Sequence, residues 1–114
     1  MADCIFCKII SGEIPSNEVY SDDELFAFRD VNPQAPVHVL IVPRKHIERV
    51  VDFTEQDAGL IGRMVLAANK IADAEGLVEN GFRYVLNCNE HGGQAVFHVH
   101  LHVLGGRQMT WPPG

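Results

Sequence analysis

The stretch Gln94–Gly106, QAVFHVHLHVLGG, carries three of the chain's six histidines at alternate positions, His98, His100 and His102, with Val99, Leu101 and Val103 between them. A strand reverses its side chains at each residue, so this two-residue period predicts a strand with the histidines on one face and the aliphatic residues on the other. The aliphatic face buries. The histidine face looks into a site, with neighbouring imidazoles about 6.5–7 Å apart along the strand, close enough to surround one small ligand such as a phosphate or a metal ion. The plainer alternative, a polar strand face turned to solvent, is weakened by the register of three histidines in a chain that has only three others.

Working outward, the turn-rich NEHGGQA (89–95) separates this strand from another, FRYVLNC (82–88). Before them, Thr54 is a good N-cap, Glu55 and Asp57 suit the first turn of a helix, and Leu60, Ile61, Met64, Val65, Ala68, Ile71 and Ala72 recur at helical spacing. A long helix is expected from Thr54 to Glu75, closed by Gly76. VHVLIVP (37–43) is a β-branched strand ended by Pro43, NPQAP (32–36) a turn, and LFAFRDV (25–31) a weakly alternating strand. CIFCKIISG (4–12) reads as a short helical turn ended by Gly12, and EIPSNEVYSDD (13–23) as a turn at Pro15 leading into a brief strand. Strands outnumber helices and several connections are short. The expected class is therefore α+β, a mostly antiparallel sheet with one long helix packed on it, in a single domain spanning residues 1–114.

Composition bounds the function. With 114 residues, 46% hydrophobic and 21% charged, the chain is ordinary globular protein. A net charge of −6 argues against binding along a nucleic-acid polymer or an anionic membrane, which needs clustered Lys and Arg. No apolar run reaches the roughly 18–20 residues that span a bilayer, and MADCIFCKII lacks the pattern of a secretory signal, so a cytoplasmic location is expected. Three cysteines, two of them in Cys4-x-x-Cys7, are no disulfide framework; such a pair more often binds metal or does redox work. Cys88, inside an apolar strand pattern, is expected to pack in the core.

Other groups join the histidines. Gly92 and Gly93 in GGQA let the backbone approach a ligand and turn amides toward phosphate oxygens, which answers the acidic charge balance. Asp30 ends a strand, where its carboxylate could accept hydrogen bonds from a ribose diol or simply cap a turn. His38 and His46 flank the VHVLIVP strand, and either could be a surface residue.

These residues add up to a resemblance. HVHLHVL matches the alternating histidine and apolar signature of the histidine-triad (HIT) superfamily, and NPQAPVHVLIVPRKHI, GRMV, GGQAVFHVHLHVLGGRQM and WPPG are similar to its Hint branch of nucleotide-binding phosphoramidases, over about Cys4 to Gly114. The resemblance implies a purine nucleotide phosphoramidase that cleaves adenosine or guanosine 5′-monophosphoramidates through a nucleotidyl-histidine. It makes His100 the nucleophile and His102 a phosphate ligand, with His98 and His38 in the supporting network. Neutral imidazole is nucleophilic near pH 7 when its far nitrogen is free and its near nitrogen is held as N–H. The resemblance also assigns Asp30 and Val31 to ribose and base, Ile5 and Phe6 to the base, and Asn87, Gly93, Gln94 and Ala95 to phosphate. Family members more often carry Ser at the position of Ala95, so slower chemistry or altered leaving-group preference is expected. No cofactor is needed for catalysis; by resemblance to a zinc-binding subset, Cys4, Cys7, His46 and His98 would hold a structural zinc.

Two rival readings differ in class. A zinc hydrolase would use His98, His100 and His102 as ligands, although three successive same-face positions splay too far for a compact site. A nucleotide-binding scaffold would keep the site and not turn over. The resemblance further implies a homodimer with a continuous sheet, in which the tail bearing Trp111 reaches the partner's nucleotide site.

Overall fold

A computed structural model describes residues 3–114. Five strands, β1 (Glu18–Ser21), β2 (Leu25–Arg29), β3 (Val37–Pro43), β4 (Phe82–Val85) and β5 (Leu101–Gly105), form an antiparallel sheet in the order β1-β2-β3-β5-β4. Three helices accompany it: α1 (Ile5–Ile10), α2 (Ala58–Ala74) and α3 (Asn89–Gly92). The α+β class and the helix packed on an antiparallel sheet agree with the sequence.

The two central strands are covered on both faces, which explains their weak alternation. Leu25 and Ala27 of β2 and Val39 and Ile41 of β3 pack toward α2, whose Leu60, Met64, Ala68 and Ile71 complete that core. The intervening Phe26, Phe28, Leu40 and Val42 pack on the opposite face with Phe6 and Ile9 of α1. Period-two alternation thus sorts residues between two cores instead of between core and water. β5 and the residues leading into it follow the same rule: Val99, Leu101 and Val103 enter the α2 core, and His102 pairs with Leu40 on the α1 face. That second face, only partly covered, is where the site forms.

Local differences from the expected elements have physical causes. The long helix begins later, because a 3-10 turn over Glu55–Asp57 precedes α2. Asp57 reaches back to accept from the Thr54 N–H at 2.9 Å and also takes Lys45 Nζ at 2.9 Å, so the carboxylate closes the entry that Thr54 signals. At the other end Gly76 takes φ of +73° and Leu77 N–H returns to Ala72 O. Val65, expected on the apolar face, is 40% exposed, as is more of its neighbour Leu66. NEHGGQA contains the short helix α3, ended by Gly93 in the left-handed region at φ +81°. Cys88 is half-buried just before α3 and is not a core residue. The β5 ladder starts at Leu101, so His98 and His100 lie on an extended lead-in rather than within the paired strand.

Candidate active site

His98, His100 and His102 alternate as expected, yet they serve two different clusters. His100 and His102 line a cavity of about 370 Å³ on the α1 face, together with Ile5, Phe6, Asp30, Val31, Asn87, Gly93 and Ala95. Nine residues named from the sequence therefore meet in one place. His98 does not line it: its ring is fully buried among Cys4, Cys7 and His46. The geometry removes the reading in which the three histidines share one metal. The rings of His100 and His102 lie closer than strand spacing implies, 4.9 Å between centroids, because they lean together from the end of the ladder.

Hydrogen bonding fixes how each ring is used. His100 Nδ1 lies 2.8 Å from the carbonyl oxygen of His98, so Nδ1 carries the proton and donates, leaving Nε2 with its lone pair. Burial holds the His100 pKa below the ordinary 6.5, which keeps the ring neutral at physiological pH. The edge of Phe6 packs against it at 5.0 Å and 86°. In the second ring pair, the Gln34 N–H donates to His38 Nδ1 at 3.0 Å, which places the His38 proton on Nε2. That N–H faces His102 Nδ1 at 2.9 Å, with Asp30 Oδ2 at 3.5 Å. His102 must then carry its own proton on Nε2, and this atom is buried without a hydrogen-bond partner. Burial first, and then the neighbouring His100 and His38, push the His102 pKa down to about 4. The network thus presents a bare nitrogen on His100 beside an unused N–H donor on His102. An unsatisfied buried donor costs about 1–3 kcal/mol, which an acceptor oxygen would recover.

Asp30 sits at the mouth of the cavity, where its Oδ1 accepts from Asn32 N–H at 2.9 Å and Val31 beside it is 98% exposed. The loop before the histidines is arranged differently from the expected amide cradle. Gly93 N–H and Gln94 N–H close the α3 turn on Glu90 O and Asn89 O, and only the Ala95 amide is left over from those turn bonds. The Gln94 side chain is buried and points away from the cavity. Its Nε2 donates to Glu48 O at 2.7 Å and Val96 O at 3.1 Å, and its Oε1 accepts from Asn89 N–H at 3.0 Å. The Gln94 side chain ties the loop together and does not line the cavity. Sequence reasoning missed Ile9, Ile14, Ser16, Phe28 and Leu40 in the cavity wall. The alternation of β2 and β3 carried a signal for Phe28 and Leu40, once both faces of the sheet are known to be covered.

The second cluster brings four soft and borderline donors together. The ligand atoms of Cys4, Cys7, His46 and His98 all lie within 4.8 Å of one another. His46 Nδ1 and His98 Nδ1 are 3.1 Å apart, Cys4 Sγ is 3.3 Å from His98 Nδ1, and Cys7 Sγ is 3.4 and 3.6 Å from the Nδ1 atoms of His46 and His98. With ordinary zinc–sulfur and zinc–nitrogen bond lengths, a tetrahedron has N···N edges of about 3.3 Å and S···N edges of about 3.6 Å. His98 Nε2–H donates to Pro43 O at 2.7 Å, so its Nδ1 lone pair faces inward, and the Cys7 N–H points at Cys4 Sγ at 3.4 Å. Separation, tautomer and donor set all fit zinc.

Likeness to known proteins gives the family. The HIT domain family model matches residues 11–109, and the chain belongs to the HIT-domain family. Among characterised relatives, the purine nucleoside phosphoramidase of Escherichia coli K12 is 50% identical over 107 residues, covering 94% of this chain and 90% of that protein. A crystal structure of a HIT family hydrolase from Legionella pneumophila is 54% identical with a TM-score of 0.96, covering 98% of this chain and all of the other. A histidine triad nucleotide-binding protein from Candida albicans is 30% identical with a TM-score of 0.83, over 96% of this chain and 83% of its own.

Proposed function

We propose that this HIT-family hydrolase cleaves the P–N bond of purine nucleoside 5′-phosphoramidates, releasing a nucleoside monophosphate and an amine. The observation that carries the reading is the His98 carbonyl bond to His100 Nδ1, which leaves a neutral imidazole nitrogen bare beside the spare N–H of His102. The base enters the apolar slot of Ile5, Phe6, Ile9, Ile14 and Phe28, the Asp30 carboxylate takes the ribose hydroxyls, and His102 Nε2–H binds a phosphate oxygen. His100 Nε2 attacks phosphorus in line with the leaving nitrogen. The P–N bond breaks as the leaving nitrogen takes a proton from solvent water and departs as the amine, and water then hydrolyses the nucleotidyl-histidine. A His102 N–H already aimed at the phosphoryl group stabilises charge without reorganisation. A panel of nucleoside 5′-phosphoramidates, turned over by wild type and by His100→Ala, tests the reading. Turnover by the wild type alone supports it, and equal turnover by both contradicts it.

The same reading gives Cys4, Cys7, His46 and His98 a structural zinc, which would cross-link the N-terminal helix to the histidine segment and take no part in bond cleavage. It also makes the protein a cytoplasmic homodimer. The exposed Val65 and Leu66 on α2 and the unpaired edge of β4 offer a surface through which two sheets could join. In this reading Trp111, 83% exposed and preceded by Thr110, whose carbonyl accepts from Arg83, would complete the neighbour's site. Among the described residues, no helix is long and apolar enough to cross a membrane.

A further inference from the structure

The two clusters share more than a stretch of chain. His98 gives its ring to the four-donor cluster and its carbonyl oxygen to the nucleophile's Nδ1–H. Cys4 and Cys7 bracket Ile5 and Phe6, which line the nucleotide cavity, and Phe6 touches both rings, 6.0 Å from His98 and 5.0 Å from His100 between centroids. The nucleophile is therefore held by a backbone carbonyl and an aromatic edge that both hang from the cysteine–histidine cluster. That cluster is reachable. Cys4 and Cys7 are half-buried, and a cleft of about 400 Å³ bordered by Cys4, His46, Glu48 and Phe97 opens beside them.

We propose that Cys4 and Cys7 are a reversible oxidation site through which hydroperoxides slow the enzyme, a reading that rests on the zinc site and on His100 as nucleophile. The Cys4 thiolate attacks the terminal oxygen of the hydroperoxide, the O–O bond breaks, and alkoxide, or hydroxide in the case of hydrogen peroxide, departs to leave a sulfenic acid. The Cys7 thiolate then attacks that sulfur, forms the S–S bond and expels hydroxide. Two electrons pass from the two thiolates to the O–O bond, and nothing else is consumed. The spacing suits the bond, because residues three apart on one helical turn bring their side chains together, and the cluster already gathers both sulfurs within 4.8 Å. A disulfide offers no anionic donor, so His46 and His98 alone remain and the site releases its ion. The His98 ring then keeps only its Nε2–H bond to Pro43 O, the segment that presents the His98 carbonyl to the His100 Nδ1–H loosens, and Phe6, carried on the chain between the two cysteines, shifts against both rings. Cys4 and Cys7 act as positioning residues, so oxidation lowers the rate without abolishing it.

The test treats the zinc-loaded full-length protein with hydrogen peroxide and follows four readouts. A colorimetric chelator reports zinc, peptide mass mapping locates the disulfide by a loss of about 2 Da, steady-state kinetics give kcat, and ¹⁵N shifts report the His100 tautomer. The expected result is release of about one zinc per chain, a Cys4–Cys7 disulfide, a fall in kcat of about tenfold or more and a mixed His100 tautomer. Dithiothreitol with zinc should reverse all four, and Cys88→Ser should respond as the wild type does. Cys7→Ser, if it folds, should show no disulfide and no peroxide-dependent step; if it does not fold, the wild-type reversal decides. A complete Cys4–Cys7 disulfide with unchanged kcat and unchanged His100 shifts overturns the proposal, as does inactivation without that disulfide. Absence of phosphoramidase turnover before oxidation would instead strike the proposed function, and the zinc, mass and tautomer readouts would still judge the switch.

Discussion

His98 and His100 are two residues apart and both nearly inaccessible to solvent, yet the structure puts them to opposite uses. His98 hands its Nε2 proton to Pro43 O and turns Nδ1 toward two sulfurs, whereas His100 hands its Nδ1 proton to the His98 carbonyl and keeps Nε2 bare. The ring chemistry is the same and the partner of the second nitrogen differs. What a histidine can do is thus set by which nitrogen its neighbours leave free, and burial alone does not distinguish a ring fit to bind a metal from one fit to attack phosphorus.

That contrast can be broken experimentally, starting where the largest effect lies. His100→Ala should reduce turnover by at least about 10³-fold, since it deletes the attacking atom, while calorimetry shows nucleoside monophosphate affinity changed only by a small factor. If the Cys4, Cys7, His46 and His98 cluster holds the proposed zinc, its removal by a chelator should act mainly on stability, lowering the melting temperature by more than about 10 °C, with a much smaller loss of kcat than His100→Ala produces. Equal effects on rate would mean the two clusters are not separate in function. Gln94→Ala removes three hydrogen bonds that tie the loop beside both clusters, and chemical denaturation should show a loss of about 2–3 kcal/mol.

Smaller effects sharpen the catalytic side. Ala95→Ser should speed turnover by the equivalent of roughly 1–3 kcal/mol if a hydroxyl at the cavity wall donates to the reacting phosphate, and an unchanged rate would show that the His102 donor suffices. The low His102 pKa carries a stability cost with a defined sign. Above its ordinary pKa of 6.5 the ring is neutral in folded and unfolded chains alike. Between 6.5 and about 4 only the unfolded chain takes up the proton, so stability falls as pH drops through that window and levels off below it. Allowing for partial solvent screening, the loss is roughly 2 kcal/mol, and His102→Gln should lack it in denaturation curves taken across the window.

Much of the fold was legible because its signals are local. The apolar stripe of α2, the β-branched run of β3 and the alternation of β5 each follow from one period of residues. The entry at Thr54, with Glu55 and Asp57 in the first turn, is legible, but not that this turn is 3-10 before α2 proper: Asp57 reaches back to Thr54 and takes Lys45, contacts that no local period shows. The site was legible where a side chain faces the cavity, as with His100, His102, Asp30 and Ala95. The direction of the Gln94 side chain is not legible, because its neighbours in sequence are cavity residues while its own hydrogen bonds include one to Glu48, far away in the chain. No period in the sequence distinguishes a side chain that points to a ligand from one that braces a loop. Nor does spacing reveal that His38 and His102 orient each other across paired strands, which depends on register.

The central claim is that His100 Nε2 forms a bond to phosphorus. Mixing wild-type protein with excess nucleoside phosphoramidate, quenching in base within milliseconds and mapping the modified peptide by mass spectrometry tests it directly, because a phosphorus–imidazole bond survives in base. The account predicts a nucleotidyl group on His100 that forms before steady-state product and disappears as substrate is exhausted. Rapid turnover with no modified histidine at any time, or with the group on His98 or His102 instead, would contradict it.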